Sequence, residues 1–262
     1  MTSSGLIAAD DPAAVIVENS GASSRLLLLG DHAGRAVPSV LGDLGVPPHE
    51  MDRHIAWDIG VAGLGGELAR RLDAVFIRQA YSRLVIDCNR EPGHAGSIVP
   101  ISDGCPVPAN QGASEAEQRA RVEAIFRPYH SAIAAELDAR AARGERTLVF
   151  ALHSFTPRMN DFDRPWRFGV LHAHDSPFST AMLAVLREKF GETVVGDNEP
   201  YALDPNGGDY TVPHHASGRG LDYLELEVRQ DLITTPADQA IVADVLAPLL
   251  AEAIRRSAEA SA

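Results

Sequence analysis

Cysteine, basic runs and long apolar runs are all scarce in this chain, and each scarcity removes a class of protein. The two cysteines, Cys88 and Cys105, are too few for a disulfide framework and lack the CxxC spacing of a zinc ribbon. A reduced, cytoplasmic chain is the simplest expectation. No apolar run approaches the roughly 18 residues that a membrane span needs, and the segment from Met1 to Ile7 has no basic stretch leading into a long apolar core. Neither a span nor a secretory signal is expected. The formal net charge of -13, with no cluster of Lys and Arg, argues against nucleic acid or an anionic membrane as a partner. An anionic small molecule would need a local arginine pocket. Also absent are the GxxxxGK[ST] phosphate loop, GxGxxG after a strand, the GxSxG elbow and HExxH, which weakens nucleotide-dependent and serine-hydrolase readings. Gly63-Leu-Gly65-Gly66 lacks the third glycine of a dinucleotide turn and lies inside a helical pattern, so close packing explains it better.

What is present is enough chain, 262 residues, to bury a sizeable core without a disulfide or metal staple. After a polar and flexible lead (1–23), short runs dense in Val, Ile and Leu alternate with longer helical patterns, which predicts a single α/β domain spanning 1–262. Strands are expected at Arg25 to Gly30, Ala74 to Arg78, Arg83 to Asp87, Thr147 to Leu152, Phe168 to His172, Thr193 to Val195 and Leu221 to Val228. Helices are expected after the capping box Ser114-Glu-Ala-Glu117, over Ala237 to Arg255, and along Ile55, Ile59, Ala62, Leu68 and Leu72. The sheet should be mixed and mainly parallel, with helices on both faces. Two segments rich in Pro, Gly, Asn and Asp, Arg90 to Ser114 and Asp197 to Gly220, read as functional loops roofing a site at the strand ends.

Two histidines stand where such folds build sites. His153 ends the apolar run Thr147 to Leu152, and His32 follows Leu26 to Leu29 through Gly30 and Asp31, so the pair could share one metal ion. Ten histidines in the chain will place some at strand ends by chance, and the company of these two decides their weight. Asp58, beside Trp57 at the start of an amphipathic helix, reads on spacing alone as a cap. As a third ligand it would complete the open His/Asp/His set of a catalytic zinc. In Tyr81 to Arg90, Asp87 and Arg90 could pair with each other, or Asn89 and Arg90 could present an amide and a guanidinium to a carboxylate. Glu225 and Glu227 alternate with apolar residues, the ordinary sign of a half-exposed strand; a carboxylate held near an activated water would make Glu227 a general base instead. Ser154 is a weak nucleophile candidate, because it and His153 point to opposite strand faces.

Together, His32-Ala33-Gly34, Trp57-Asp58, Tyr81-Ser-Arg-Leu-Val-Ile-Asp-Cys-Asn-Arg90, Phe126-Arg-Pro-Tyr-His130, Leu152-His153-Ser154 and Leu226-Glu227-Val-Arg-Gln230 resemble the N-formylglutamate amidohydrolase family, in order from about residue 25 to 230. The resemblance implies a fold related to zinc carboxypeptidases and a zinc-dependent hydrolysis of an N-formyl or N-acyl amide on an acidic amino acid such as N-formylglutamate. It implies His32, Asp58 and His153 as zinc ligands, Glu227 as general base, and Asn89, Arg90 and Arg83 in the substrate pocket. Arg35 stands where the carboxypeptidase pattern has its glutamate ligand, so the acidic ligand must come from elsewhere. Asp31-His32 and the insertion Ser102 to Asn110 mark a divergent branch, in which the reaction class should survive better than the substrate. A hydrolase of another N-acyl amino acid or peptide-like amide is the alternative. A non-catalytic metal- or carboxylate-binding module would have no need of Glu227.

Overall fold

Buried aliphatic runs and the alternation of side chains along them set the architecture. The computed structural model describes residues 5–173, 176–203 and 208–260. Its strands are β1 Val15–Glu18, β2 Leu26–Gly30, β3 Val75–Gln79, β4 Ile101–Ser102, β5 Cys105–Pro106, β6 Leu148–Phe155, β7 Arg158–Met159, β8 Phe162–Asp163, β9 Phe168–Leu171, β10 Val195–Asp197 and β11 Asp222–Arg229. Its helices are α1 Pro48–Met51, α2 Val61–Arg71, α3 Glu115–Arg121, α4 Arg127–Ala142, α5 Pro177–Phe190, α6 Thr211–His215 and α7 Pro236–Ala260. Seven strands form one sheet in the order β1-β3-β2-β6-β11-β9-β10, while β4 with β5 and β7 with β8 make two small hairpins. The neighbours β3, β2, β6 and β11 run parallel; β1 pairs antiparallel with β3, and β9 antiparallel with β11. The sheet is thus mixed and mostly parallel. Among the described residues no helix is long and apolar enough to cross a membrane.

Successive side chains on a strand point to opposite faces. Leu27, Leu29, Val149 and Ala151 therefore pack on one face with Tyr129, Ile133 and Leu137 of α4. Leu26, Leu28, Phe150 and Leu152 pack on the other with Leu64 of α2, Met182 of α5 and Leu246 of α7. Each leucine fully withdrawn from water contributes roughly 1.5–3 kcal/mol. The same parity puts His153 on the α4 face beside Val149 and Ala151, and Glu225 and Glu227 there beside Tyr223.

The structure departs from the sequence expectations at several points. Arg83 to Asp87 is not a strand: Ser82 Oγ accepts from Leu84 N at 3.1 Å and donates to Ala56 O at 2.7 Å, and Val85 N bonds back to Ser82 O, so local bonds turn the chain. The lead contains an edge strand, β1, whereas its residues 1–4 lie outside the described residues. The helix expected from Ile55 begins only at Val61. Its glycines are packing positions, since a Cβ at Gly65 would lie 2.4 Å from the Phe76 ring. The capping box holds α3 as expected, and α7 runs through Pro248. Of the segment Asp197 to Gly220, residues 204–207 lie outside the described residues.

Candidate metal centre and active-site cavity

The carboxyl ends of β2, β6 and β11 meet at one place on the α4 face, the position where open α/β sheets bind ligands. β2 delivers His32 two residues past its end, and the turn is tight enough that a Cβ at Gly34 would fall 2.1 Å from the backbone of Ala80. Asp58 N donates to His32 O at 2.8 Å, which brings the segment ahead of α2 against that turn. β6 carries His153, and the parallel register sets Glu227 of β11 directly beside it.

His32, Asp58 and His153 are all buried and offer ligand atoms within 4.8 Å of one another. Asp58 Oδ2 lies 3.6 Å from His32 Nδ1 and 3.0 Å from His153 Nδ1, and it also accepts from Ser154 N at 3.2 Å. Asp58 is therefore not a side-chain cap of α2, whose N-cap is Gly60. Each imidazole has a carboxylate at its far nitrogen. Asp87 Oδ1 is 2.7 Å from His32 Nε2, and Asp31 Oδ2 is 3.5 Å from His153 Nε2, with Tyr129 donating to the other Asp31 oxygen at 2.7 Å. That arrangement orients metal-binding histidines and raises their basicity. Burial opposes protonation of His153, yet the Asp31 and Asp58 carboxylates override it and hold its pKa well above the ordinary value. Burial likewise raises Asp58, while His32 and His153 pull it well below the carboxylate range. The field at this point favours positive charge, and three converging N and O donors fit a divalent cation with an open position.

Glu225 and Glu227 are only 5% and 6% exposed, so the half-exposed strand reading fails for both. Burial, opposed by His153, pushes Glu225 up to about 8 and Glu227 up to about 7. Glu227 Oε2 is buried without a hydrogen-bond partner among the described residues. Both glutamates line a cavity of about 630 Å³ that also reaches His32, Asp58, His153 and the expected pocket residues Arg83, Asn89 and Arg90.

Those pocket residues are already engaged in part. Arg83 gives Nε and Nη2 to Asp87 Oδ2 at 3.1 and 2.7 Å, and its Nη1 stands 3.6 Å from Asp58 Oδ1. Arg90 pairs with Asp209, not with Asp87. Asn89 Oδ1 accepts from Tyr210 N and Thr211 N at 3.1 and 2.9 Å, fixing the start of α6. Ser154 Oγ donates to Ile59 O at 2.9 Å. It is a packing hydroxyl, off the face that His153 occupies.

Asp31 and the role of Asp87 as partner of His32 escaped the sequence reading, as did Tyr201 and Asp209 on the cavity wall. An acidic residue next to a strand-end histidine, as in Asp31-His32, is the signal that could have pointed to the first. The two long loops do reach the site, through Val99, Ser102 and Asp103 from one and Tyr201, Ala202 and Asp209 from the other.

The model of the N-formylglutamate amidohydrolase family matches residues 24–234. A gene product of Agrobacterium tumefaciens has a solved structure that superposes with a TM-score of 0.88 at 35% identity, over 93% of this chain and 96% of that one. The N-formylglutamate amidohydrolase of Ralstonia eutropha JMP134 superposes with a TM-score of 0.62 at 19% identity, over 91% of this chain and 98% of that one. No functionally curated protein matches the chain significantly. With most of its length matched by the family model, and with a 35% identical structural relative covering nearly all of it, this chain belongs to the N-formylglutamate amidohydrolase family.

Proposed function

We propose that the chain is a zinc-dependent hydrolase that cleaves the amide bond of an N-formyl, or other N-acyl, amino acid of the N-formylglutamate type. The observation that carries the reading is the placement of Glu227 beside His153 in the β11–β6 register, with His32, Asp58 and His153 converging next to it. These three would hold the ion. Bound there, zinc supplies Lewis acidity: it polarises a carbonyl and acidifies water.

The chain's own residues do the rest. Glu227, buried and raised to about 7, takes a proton from the attacking water as the new C–O bond forms at the acyl carbon. It returns that proton to the nitrogen as the C–N bond breaks, so that formate and a free amino acid leave. Arg83 and Arg90 keep N–H donors beyond those given to Asp87 and Asp209, enough to hold the α-carboxylate of the substrate. Asn89 positions Arg90 through the backbone it anchors at Tyr210 and Thr211. Asp87 fixes the orientation of the His32 imidazole through a 2.7 Å contact, while Asp31 faces His153 Nε2 across 3.5 Å as a buried negative charge.

The test is a hydrolysis screen over N-formyl, N-acetyl and N-succinyl amino acids with zinc added, read as released acid and free amine. Turnover of the N-formyl series is the expected result. A zinc-replete, folded protein that cleaves none of them would overturn the reading.

A further inference from the structure

The segment after β10 brings to the cavity a hydroxyl that the mechanism above leaves unused. Tyr201 lines the wall together with Glu227, Asp58 and Arg83, and it is 41% exposed, so a molecule entering the cavity meets it. Behind it stands Arg164, 8% exposed, whose guanidinium lies 4.9 Å from the Tyr201 ring centroid and 5.6 Å from that of Phe155. Arg164 Nη1 donates to Thr156 O and Oγ1 at 3.2 and 3.1 Å, and its Nη2 donates to the Tyr201 hydroxyl oxygen at 3.1 Å. The stack and these bonds fix where the phenol sits.

A guanidinium can only donate, so the Tyr201 oxygen is the acceptor in that bond and its own proton points elsewhere. Within reach of that proton is Met159 Sδ at 3.9 Å, a weak acceptor that already takes Arg164 Nη2 at 3.4 Å. An oxygen acceptor carried by a ligand would displace the sulfur. The neighbouring charges say which oxygen. Burial and then the Glu227 carboxylate raise the phenol pKa, against the hydrogen bond from Arg164, so Tyr201 stays protonated at working pH. Asp58 acts on the phenol too, and the phenol in turn acts on Arg83. The hydroxyl thus stands near the base. Glu227 takes its proton from the water that attacks the acyl carbon, and the acyl oxygen is bonded to that carbon, so this oxygen comes to the same stretch of wall.

We infer that Tyr201 is a further catalytic residue, whose O–H donates to the acyl oxygen as that oxygen gains negative charge in the tetrahedral state, with Arg164 holding the phenol in place. The inference rests on the hydrolase reading above and adds a donor to it. As the water oxygen bonds to the acyl carbon, the C=O π pair moves onto the acyl oxygen and the hydrogen bond strengthens. When the C–N bond breaks the pair returns; Tyr201 keeps its proton throughout. A donor that strengthens only at that stage raises kcat rather than ground-state binding.

The experiment compares zinc-loaded wild type with Tyr201→Phe, which removes the hydroxyl and keeps the ring over Arg164; circular dichroism and zinc content check the fold and the metal centre. On N-formylglutamate, kcat should fall about 10²- to 10³-fold with KM little changed, the usual cost of losing one oxyanion donor. Calorimetry gives a readout independent of turnover. N-phosphonoglutamate, with tetrahedral anionic phosphorus in place of the acyl carbon, should bind the variant about tenfold or more weakly, the size of a charged hydrogen bond, while glutamate binds both proteins alike. An active wild type whose folded, zinc-replete variant keeps its kcat, or loses only KM together with glutamate affinity, overturns the assignment; the second result puts the phenol on a substrate carboxylate instead. A wild type that leaves N-formylglutamate uncleaved breaks the hydrolase reading, and calorimetry then decides Tyr201 alone: equal binding of the phosphorus analogue by both proteins refutes it.

Discussion

Asp87→Asn isolates the outer support of the metal centre, because it changes charge with almost no change in shape. Asp87 is buried, sits 2.7 Å from His32 Nε2 through Oδ1, and takes Arg83 Nε and Nη2 on Oδ2. Oδ1 also accepts from Asn89 N at 2.8 Å. Burial alone would raise its pKa, but Arg83 and His32 hold it well below the carboxylate range, so it is an anion at every working pH. Asparagine retains one acceptor oxygen. If that oxygen serves His32, the amide NH₂ faces the Arg83 guanidinium donor to donor. Loss of such an outer partner typically weakens metal binding about 10- to 100-fold, or roughly 1.4–2.8 kcal/mol. Removing one member of a buried ion pair also destabilises the fold, by about 3–5 kcal/mol, so zinc Kd must be measured by chelator competition on protein shown to be folded. A folded Asp87→Asn protein with wild-type zinc affinity would refute the idea that Asp87 tunes His32.

Glu227→Gln should keep its zinc while kcat falls about 10²- to 10⁴-fold, the usual contribution of a general acid-base group; near-wild-type turnover by metal-replete enzyme would remove Glu227 from the mechanism. Arg90→Lys keeps the charge but loses the planar fork, so kcat/KM on an N-formyl amino acid should fall, and an unchanged value would count against Arg90 as a carboxylate contact. His130 and His215 report on pH stability. His130 Nε2–H donates to Cys88 O at 2.8 Å and its Nδ1 meets His215 Nε2 at 2.9 Å, and burial pushes them down to about 4 and about 3. Below pH of about 6.5 the unfolded chain takes up protons that the folded chain refuses, so stability present at neutral pH is lost as pH falls toward 4, on the order of 3 kcal/mol for His130. Urea titrations should show a shallower fall in His215→Leu than in wild type, and identical slopes would contradict the assignment.

The central strands were legible because burial on both faces leaves an unmistakable apolar run: Leu26 to Leu29, Leu148 to Leu152 and Phe168 to Leu171 could hardly be anything else. β1 was not, because its short apolar run, Ala13 to Val17, sits in a polar lead and forms only a four-residue edge strand with three half-buried residues and an exposed Val17. Over 177–190 no helix is read from the sequence, although Phe178, Met182 and Val185 mark its buried stripe. Arg83 to Asp87 misleads for the opposite reason, an apolar run turned by the side chain of Ser82. At the site, strand-end position made His32 and His153 readable. The contacts of Asp58 depend on Ser154 N, 96 residues away, and no local pattern encodes that distance. The glutamates of β11 look solvated in isolation; only the insertion of β11 between β6 and β9 buries them.

The most direct test is a zinc titration of chelator-stripped protein, following formate release from an N-formyl amino acid together with bound metal, with His32→Ala as the control. The expected result is activity rising with zinc to saturation at one ion per chain, and neither binding nor activity in His32→Ala. Full turnover by the stripped protein, or stoichiometric zinc and activity in His32→Ala, would contradict a catalytic metal centre at His32, Asp58 and His153.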